Sequence, residues 1–184
     1  MKTTFVLHGG FASGVKQQND AFFREMLKNT PDDVRVLLVY FAELDEKISL
    51  RTTQDTEELN ANRGSKHLQI RVATVDTFEA DCAWADVIYL HGGKTIQLME
   101  SLSKYPNIRD LFSGKIVAGD SAGAHVLGKL FYSRNSKTIG TGLGILPLNI
   151  AAHYEEGTTS PFLDVEPGVE TLLLREYEVK VIRV

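Results

Sequence analysis

The most informative segment of this sequence is Ile116-Val117-Ala118-Gly119-Asp120-Ser121-Ala122-Gly123-Ala124. A short apolar run leads into the pattern G-x-S-x-G, which places a serine at a tight turn between a strand and a helix. Small residues on both sides let such a turn close, and its strained backbone raises the serine hydroxyl above the sheet. The segment therefore predicts a strand over Lys115–Ala118, a helix over Ala122–Leu130, and Ser121 as a candidate nucleophile.

Apolar segments alternate with helical patterns along the rest of the chain. Strands are predicted over Phe5–Leu7, Val34–Phe41, Leu68–Val72 and Asp86–Leu90, with edge strands over Val169–Leu174 and Val179–Val184. Helices are predicted over Val15–Asn29, Asp45–Asn62 and Thr95–Ser103. Such alternation is typical of a parallel sheet with helices on both faces. We expect one α/β domain over residues 1–184, a three-layer α/β/α sandwich with a mostly parallel central sheet.

The composition limits the classes of protein to which this chain can belong. Hydrophobic residues make up 43% of the 184 residues and charged residues 24%, as in ordinary globular domains. The net charge of −4 argues against nucleic-acid binding, which usually requires a basic excess. The single cysteine, Cys82, cannot form an internal disulfide, and no apolar run approaches the ~18 residues of a membrane span. We expect a soluble cytoplasmic protein that binds neither nucleic acid nor membrane.

Three predicted strands end in polar or glycine-rich residues, at positions 8–10, 91–95 and 119–123. The carboxyl ends of parallel strands meet at one edge of a sheet, where ligands bind. A catalytic serine there also needs N–H groups that hold the oxyanion of the tetrahedral intermediate. Ala122 offers one at the start of its helix, and Gly93 offers a second because glycine lets the backbone approach the reacting carbonyl.

A serine nucleophile also needs a general base, and the sequence offers five histidines. His153 is the preferred candidate, because the apolar segment Leu146-Pro147-Leu148-Asn149-Ile150 delivers it to a loop after the serine. The other histidines are expected at the surface (His67), packed in the helix after the serine (His125), and at strand ends that line the cleft (His8 and His91).

Three segments, in this order, resemble the peptidase E and cyanophycinase family of serine peptidases, whose fold is similar to the class I glutamine amidotransferase domain. They are Tyr89–Thr95, Ile116–Ala124, and the stretch from Leu143 through His153-Tyr154. The resemblance implies Ser121 as nucleophile and His153 as base. It implies Gly93 and Ala122 as the donors of the oxyanion hole. The implied reaction is hydrolysis of a small peptide, in several family members one with an aspartyl residue, through an acyl-enzyme without a metal or cofactor.

The resemblance leaves the third member of the catalytic triad open. The family carries an acid between the serine and the histidine, whereas residues 122–152 contain no Asp or Glu. Asn135 lies near the expected place, and Glu155 and Glu176 are carboxylates that could substitute for the acid. Lys94 also replaces the asparagine that usually follows the glycine pair. The missing acid motivates an alternative function, a catalytically silent binding or regulatory protein on the same scaffold.

Two other enzyme classes fit the sequence less well. His8-Gly9-Gly10-Phe11 resembles the oxyanion loop of lipases, which are α/β-hydrolases. That fold places an acid between its serine and its histidine and has more chain after the serine. A glutamine amidotransferase has a cysteine nucleophile, whereas position 121 is a serine.

The substrate and the assembly are less constrained by the sequence. Arg134 and Arg175 are candidates for contact with an acidic substrate side chain, although arginines of this kind are more often solvated at the surface. The apolar edge strand around Val179–Ile182 can pair with a second copy, which makes a homodimer one candidate assembly.

Overall fold

A computed structural model of the chain describes residues 2–11, 14, 16–166 and 168–184. Its strands are β1 (Thr4–His8), β2 (Asp33–Val39), β3 (His67–Val72), β4 (Val87–Leu90), β5 (Ile116–Asp120), β6 (Leu130–Ser133), β7 (Thr138–Thr141), β8 (Asn149–Ala151), β9 (Thr171–Leu173) and β10 (Val179–Arg183). Its helices are α1 (Lys16–Leu27), α2 (Asp45–Asn62), α3 (Phe78–Trp84), α4 (Thr95–Leu102), α5 (Ile108–Phe112) and α6 (Ala122–His125).

Six strands form the central sheet, in the order β10-β1-β5-β4-β2-β3. Neighbouring strands are parallel except β10, which runs antiparallel to β1. The register pairs His8 with Asp120 and Leu90 with Gly119, so β1, β5 and β4 end side by side. The three polar strand ends therefore share one edge of the sheet, as predicted, and β5 lies in the middle.

Helices cover both faces of this sheet. One face packs against α1 and α2 through a cluster that contains Phe22 and Leu59. The other face packs against α3, α4 and α5 through a cluster that contains Phe78, Leu98 and Phe112. The molecule therefore has the helix–sheet–helix layering that the sequence predicts.

Strand β2 has a continuous apolar run because both of its faces are buried. Val36 and Leu38 belong to the cluster under α1 and α2, whereas Leu37 and Val39 belong to the cluster on the opposite face. Successive side chains of a strand point to opposite faces, so a strand buried on both sides needs apolar residues at every position. The prediction over Val34–Phe41 rested on this pattern.

A smaller sheet of four strands, in the order β7-β6-β8-β9, follows α6 along the chain. Strands β6 and β7 form an antiparallel hairpin, and β8 pairs in parallel with β6 and β9. These strands have three or four residues and contain polar residues and glycine, so they produce little periodicity. The sequence pattern predicted only β9, within Val169–Leu174.

The helix predicted over Ala122–Leu130 is wrong in length, because α6 ends at His125. The chain turns after that residue and enters β6. The carbonyl groups of residues 126–129 accept hydrogen bonds from the N–H groups of residues 142–144 and 146, for example Val126 from Leu143 at 2.8 Å. These bonds between distant segments replace the bonds that a longer helix would have made.

The remaining helices differ from the predictions mainly at their ends. Helix α1 is described from Lys16 to Leu27; the predicted start at Val15 lies outside the described residues, and the predicted end at Asn29 is two residues too late. Helices α3 and α5, with seven and five residues, are too short to show a periodic pattern and were not predicted. None of the described helices combines the length and the apolar character needed to cross a membrane.

Strand β4 offers a matched test of the core. Leu90→Ala removes a fully buried side chain, whereas Leu50→Ala removes the same atoms from a residue of α2 that is 57% exposed. We expect L90A to lower the free energy of unfolding by about 2–5 kcal/mol and L50A by less than about 0.5 kcal/mol. Urea denaturation measures both values, and equal losses would contradict the burial of Leu90.

Candidate active site

Ser121 occupies a strained turn between β5 and α6. Its φ of 48° and ψ of −101° lie outside the regions that non-glycine residues favour, at a cost of about 1–3 kcal/mol. The N–H of Ser121 donates to the carbonyl of His8 at 3.1 Å, which ties the turn to the end of β1. The G-x-S-x-G pattern thus produces the strained serine that it predicts.

The two glycines of this turn lie against backbone atoms. A Cβ on Gly119 would lie 2.5 Å from the carbonyl carbon of Gly123, and a Cβ on Gly123 would lie 2.0 Å from the carbonyl oxygen of Leu90. No side chain fits at either position. Helix α6 can therefore begin directly at the ends of β4 and β5.

His153 reaches Ser121 from the loop that follows β8. Ser121 Oγ lies 2.9 Å from His153 Nε2, which is a hydrogen-bond distance. The backbone N–H of His153 donates to the carbonyl of Gly9 at 2.8 Å. A Cβ on Gly10, whose φ is +120°, would lie 2.1 Å from Cε1 of the imidazole. The glycine at position 10 therefore leaves the space that the imidazole ring fills.

Glu176 lies on the other side of the same imidazole ring. Its Oε1 is 3.3 Å from His153 Nδ1, and both side chains are partly exposed. The next residue, Tyr177, donates its N–H to the carbonyl of Gly10 at 3.2 Å. When the Nδ1 proton points at this carboxylate, Nε2 presents its lone pair to the Ser121 hydroxyl.

The other two candidates for the third position lie elsewhere. Glu155 forms an ion pair with Arg134. Asn135 lines the same cleft as His153, but in the described part of the chain no hydrogen bond joins the two residues. The sequence does not show which of the two carboxylates, Glu176 or Glu155, lies beside His153. That depends on how the chain between β9 and β10 returns to the end of β1.

A cleft of about 400 Å³ surrounds these side chains. It is lined by Phe11, Gly93, Thr95, Ser121, His125, Ser133, Arg134, Asn135, His153 and Glu176. Three of the four residues predicted for the site, Ser121, His153 and Gly93, therefore share one cleft. The fourth, Ala122, is the first residue of α6, directly after the serine. A second cleft of about 430 Å³ adjoins the first, because Arg134 and His153 line both.

His8 and His91 do not line the cleft, contrary to the prediction, because both side chains are buried beneath the strand ends. His8 Nδ1 lies 2.7 Å from Asp120 Oδ1, and its ring stacks on an aromatic ring of α1. His91 Nδ1 lies 2.8 Å from the carbonyl oxygen of Gly92. His67 is exposed at the start of β3, as predicted.

His125 is packed in α6, as predicted, and it also holds the segment that carries His153. Its Nε2 accepts the N–H of Ala152 at 2.9 Å, and its Nδ1 lies 3.3 Å from Thr95 Oγ1. Burial, with a smaller contribution from the neighbouring His153, lowers the pKa of His125 to about 3. The ring therefore stays neutral near pH 7 and keeps its acceptor for Ala152, the residue before His153.

Cys82 is a buried side chain away from this site. Burial raises the pKa of its thiol to about 12, which keeps it protonated near pH 7. Within the described ranges, no group of three or more His, Cys, Asp or Glu side chains is arranged so that it could hold a metal ion.

The family model for peptidase family S51 matches residues 5–177, a span that contains every residue of the site described above. The chain belongs to peptidase family S51. This is the peptidase E family, so the resemblance seen in the sequence is confirmed. A comparison with curated protein sequences found no match.

Two solved structures share the fold. A peptidase from an acI-B1 Actinobacterium superimposes with a TM-score of 0.71 at 18% sequence identity, over 99% of this chain and 84% of that chain. A protein of Listeria monocytogenes EGD-e assigned to peptidase E superimposes with a TM-score of 0.67 at 15% identity, over 100% of this chain and 98% of that chain. The likeness confirms the α/β fold of the class I glutamine amidotransferase type expected for this S51 member.

The contact between His125 and Ala152 predicts a loss of stability on substitution. His125→Leu leaves the buried N–H of Ala152 without an acceptor, and we expect it to lower the free energy of unfolding by about 1–3 kcal/mol. His125→Gln keeps an oxygen near the position of Nε2, and we expect a smaller loss. Urea denaturation near pH 7 distinguishes the two variants, and equal losses would show that the acceptor contributes nothing.

The low pKa of His125 also predicts a dependence of stability on pH. Between about pH 6.5 and pH 3 the unfolded chain binds a proton at this residue and the folded chain does not, so stability falls as the pH falls. The contribution approaches about 1.4 kcal/mol for each pH unit in this window. We expect His125→Gln to remove it, so that the wild type loses more stability than the variant between pH 7 and pH 4. Parallel curves for the two proteins would contradict this assignment.

Proposed function

We propose that this S51 member is a serine-type peptidase that hydrolyses small peptides through an acyl-enzyme on Ser121. The observation that carries the proposal is the 2.9 Å contact between Ser121 Oγ, on its strained turn, and His153 Nε2. A serine hydroxyl is a weak nucleophile unless a neighbouring base removes its proton, and this contact supplies the base.

The proposed reaction has two halves. In the first, Ser121 Oγ attacks the peptide carbonyl while its proton passes to His153 Nε2. The tetrahedral intermediate then collapses, and His153 returns the proton to the leaving amine. In the second half, His153 takes a proton from a water molecule that attacks the ester and returns it to Ser121 Oγ as the ester bond breaks, which releases the acid product and restores Ser121. The same imidazole acts as base and then as acid in both halves.

The negative charge on the tetrahedral intermediate needs donors above the serine. We assign these to the N–H groups of Gly93 and Ala122. Gly93 lines the cleft beside Ser121, and Ala122 begins α6, where the N–H groups of a helix have no partner within the helix. Each such donor contributes about 10²- to 10³-fold to the rate in serine peptidases.

We assign Glu176 as the acid that orients His153. A carboxylate near Nδ1 keeps the imidazole in the tautomer with a free Nε2 and stabilises the imidazolium that forms during the reaction. The 3.3 Å distance and the partial exposure of both side chains are consistent with a contact that tightens when substrate excludes water from the cleft. This carboxylate also weakens the alternative of a catalytically silent protein, which rested on the missing acid.

The cleft favours a small peptide with an acidic side chain. Its volume of about 400 Å³ accommodates a few residues, and Arg134 is a lining cation. Arg134 also faces the adjoining cleft and pairs with Glu155, so a substrate carboxylate can replace Glu155 as its partner. Arg175, the other candidate, pairs with Glu156 and Glu178 and does not line this cleft.

A fluorophosphonate probe and a peptide library test the nucleophile. We expect the probe to label Ser121 in the wild type and to leave Ser121→Ala unlabelled. We expect the wild type to cleave a subset of short peptides, with acidic residues enriched, and Ser121→Ala to cleave none of them. Cleavage that survives in the variant would overturn the proposal, and the absence of both labelling and cleavage would favour the silent alternative.

A pair of charge-neutralising variants tests the acid. We expect Glu176→Gln to lower kcat by about 10²- to 10⁴-fold, because the imidazolium loses its neighbouring charge. The matched change Glu155→Gln removes a carboxylate that lines the adjoining cleft and is expected to alter kcat by less than about threefold, because Glu155 contacts Arg134 rather than His153. Steady-state kinetics on one cleaved peptide measures both, and the opposite ranking would assign the acid to Glu155.

A further inference from the structure

His91 contacts the peptide unit that the proposed mechanism uses, although its own side chain is buried outside the cleft. The residue is 5% exposed, and its Nδ1 lies 2.8 Å from the carbonyl oxygen of Gly92. A carbonyl oxygen can only accept a hydrogen bond, so the imidazole must carry a proton on Nδ1 and donate it. The buried ring therefore restrains the Gly92 carbonyl.

That restraint reaches Gly93 through the peptide bond. The carbonyl of Gly92 and the N–H of Gly93 belong to one planar trans unit and point in opposite directions. The donor that holds the carbonyl therefore also sets the direction of the N–H. Both residues of this unit are glycines. Because glycine has no side chain, the two backbones do little to prevent the peptide plane from rotating.

The backbone on either side of this peptide unit is held by its neighbours. The N–H of His91 donates to the carbonyl of Val39 at 3.1 Å, and the N–H of Lys94 donates to the carbonyl of Ala42 at 2.8 Å. Both bonds fix the ends of the segment without touching the carbonyl of Gly92. The His91 side chain supplies the restraint between them.

A buried carboxyl group lies on the far side of the His91 ring. Asp55 Oδ2 is 3.6 Å from His91 Nε2 and accepts the Tyr40 hydroxyl at 2.8 Å. Burial raises the pKa of Asp55 to about 6. The 3.6 Å separation is too long for a hydrogen bond, and among the described residues His91 Nε2 has no hydrogen-bond partner, so Nδ1 is the ring nitrogen whose bond, to Gly92, holds the imidazole. The ring also packs beside Tyr40 and Tyr89, which limits its rotation.

We propose that His91 is a positioning residue for the oxyanion hole, since its Nδ1–H holds the Gly92 carbonyl and thereby directs the Gly93 N–H into the cleft. The inference rests on the proposed function, in which Gly93 N–H stabilises the tetrahedral intermediate. It differs from a role in packing alone, because it depends on one donor atom rather than on the volume of the ring.

Three substitutions separate the donor from the ring. His91→Asn places an amide nitrogen at the position of Nδ1, His91→Gln places it near Nε2, and His91→Leu has no donor. We expect kcat to fall about 10- to 100-fold in H91L and H91Q, with KM within about threefold of the wild type, because the donor acts mainly in the transition state. We expect H91N to retain kcat within about threefold.

Several outcomes would overturn the inference. Equal losses of kcat in H91N and H91L would show that the ring matters only for packing, and so would a rise in KM without a fall in kcat. H91Q is polar and close to histidine in volume, so it takes the place of H91L if the leucine variant does not fold.

A second measurement does not depend on activity. In the ¹⁵N-labelled protein we expect the Gly93 amide resonance to shift and broaden in H91L and H91Q and to resemble the wild type in H91N. An unchanged Gly93 resonance in both H91L and H91Q would overturn the inference even if the enzyme is active. If the wild type shows no Ser121-dependent cleavage, the proposed function fails. The Gly93 resonance alone then decides whether His91 holds the peptide unit between Gly92 and Gly93.

Discussion

Three consecutive carbonyl groups at the end of β1 fix the relative positions of the three segments that form the site. The carbonyls of His8, Gly9 and Gly10 accept hydrogen bonds, in that order, from the N–H groups of Ser121, His153 and Tyr177. The three donors come from the turn after β5, the loop after β8 and the return into β10. Side chains that must meet at about 3 Å need backbones held to a fraction of that distance, and one short segment supplies this for all of them. The sheet order makes it possible, because β1 lies between β5 and β10.

The central sheet and the placement of Ser121 and His153 could be predicted from the sequence, because their signals are local. Val34–Phe41 is a continuous apolar run, which is what a strand buried on both faces requires. The spacing of small residues around Ser121 is required by a turn that packs directly against β4. An apolar segment before His153 indicated that the histidine is delivered from the protein interior to a loop. Each of these signals can be read within about ten residues of sequence.

The parts that could not be predicted depend on contacts between distant segments. Helix α6 stops at His125 because the N–H groups of residues 142–144 and 146 donate hydrogen bonds to the carbonyls that follow it. Glu176 reaches His153 only because β10 runs back along β1, and no property of the residue itself distinguishes it from Glu155. His91 was expected in the cleft and instead lies beneath it, facing Asp55 from α2. Local patterns carry no information on any of these pairings.

The origin of the carboxylate near His153 has a consequence for the hairpin between β6 and β7. An acid placed between the nucleophile and the histidine would anchor that hairpin to the reactive centre. Here the carboxylate belongs to Glu176, which follows the histidine in the sequence. Residues 133–137, at the turn of the hairpin, therefore do not have to supply the acid. Three residues of this segment line the cleft, namely Ser133, Arg134 and Asn135. Sequence changes can therefore lengthen, shorten or recharge this rim while the contacts that His153 makes with Ser121 and Glu176 stay intact.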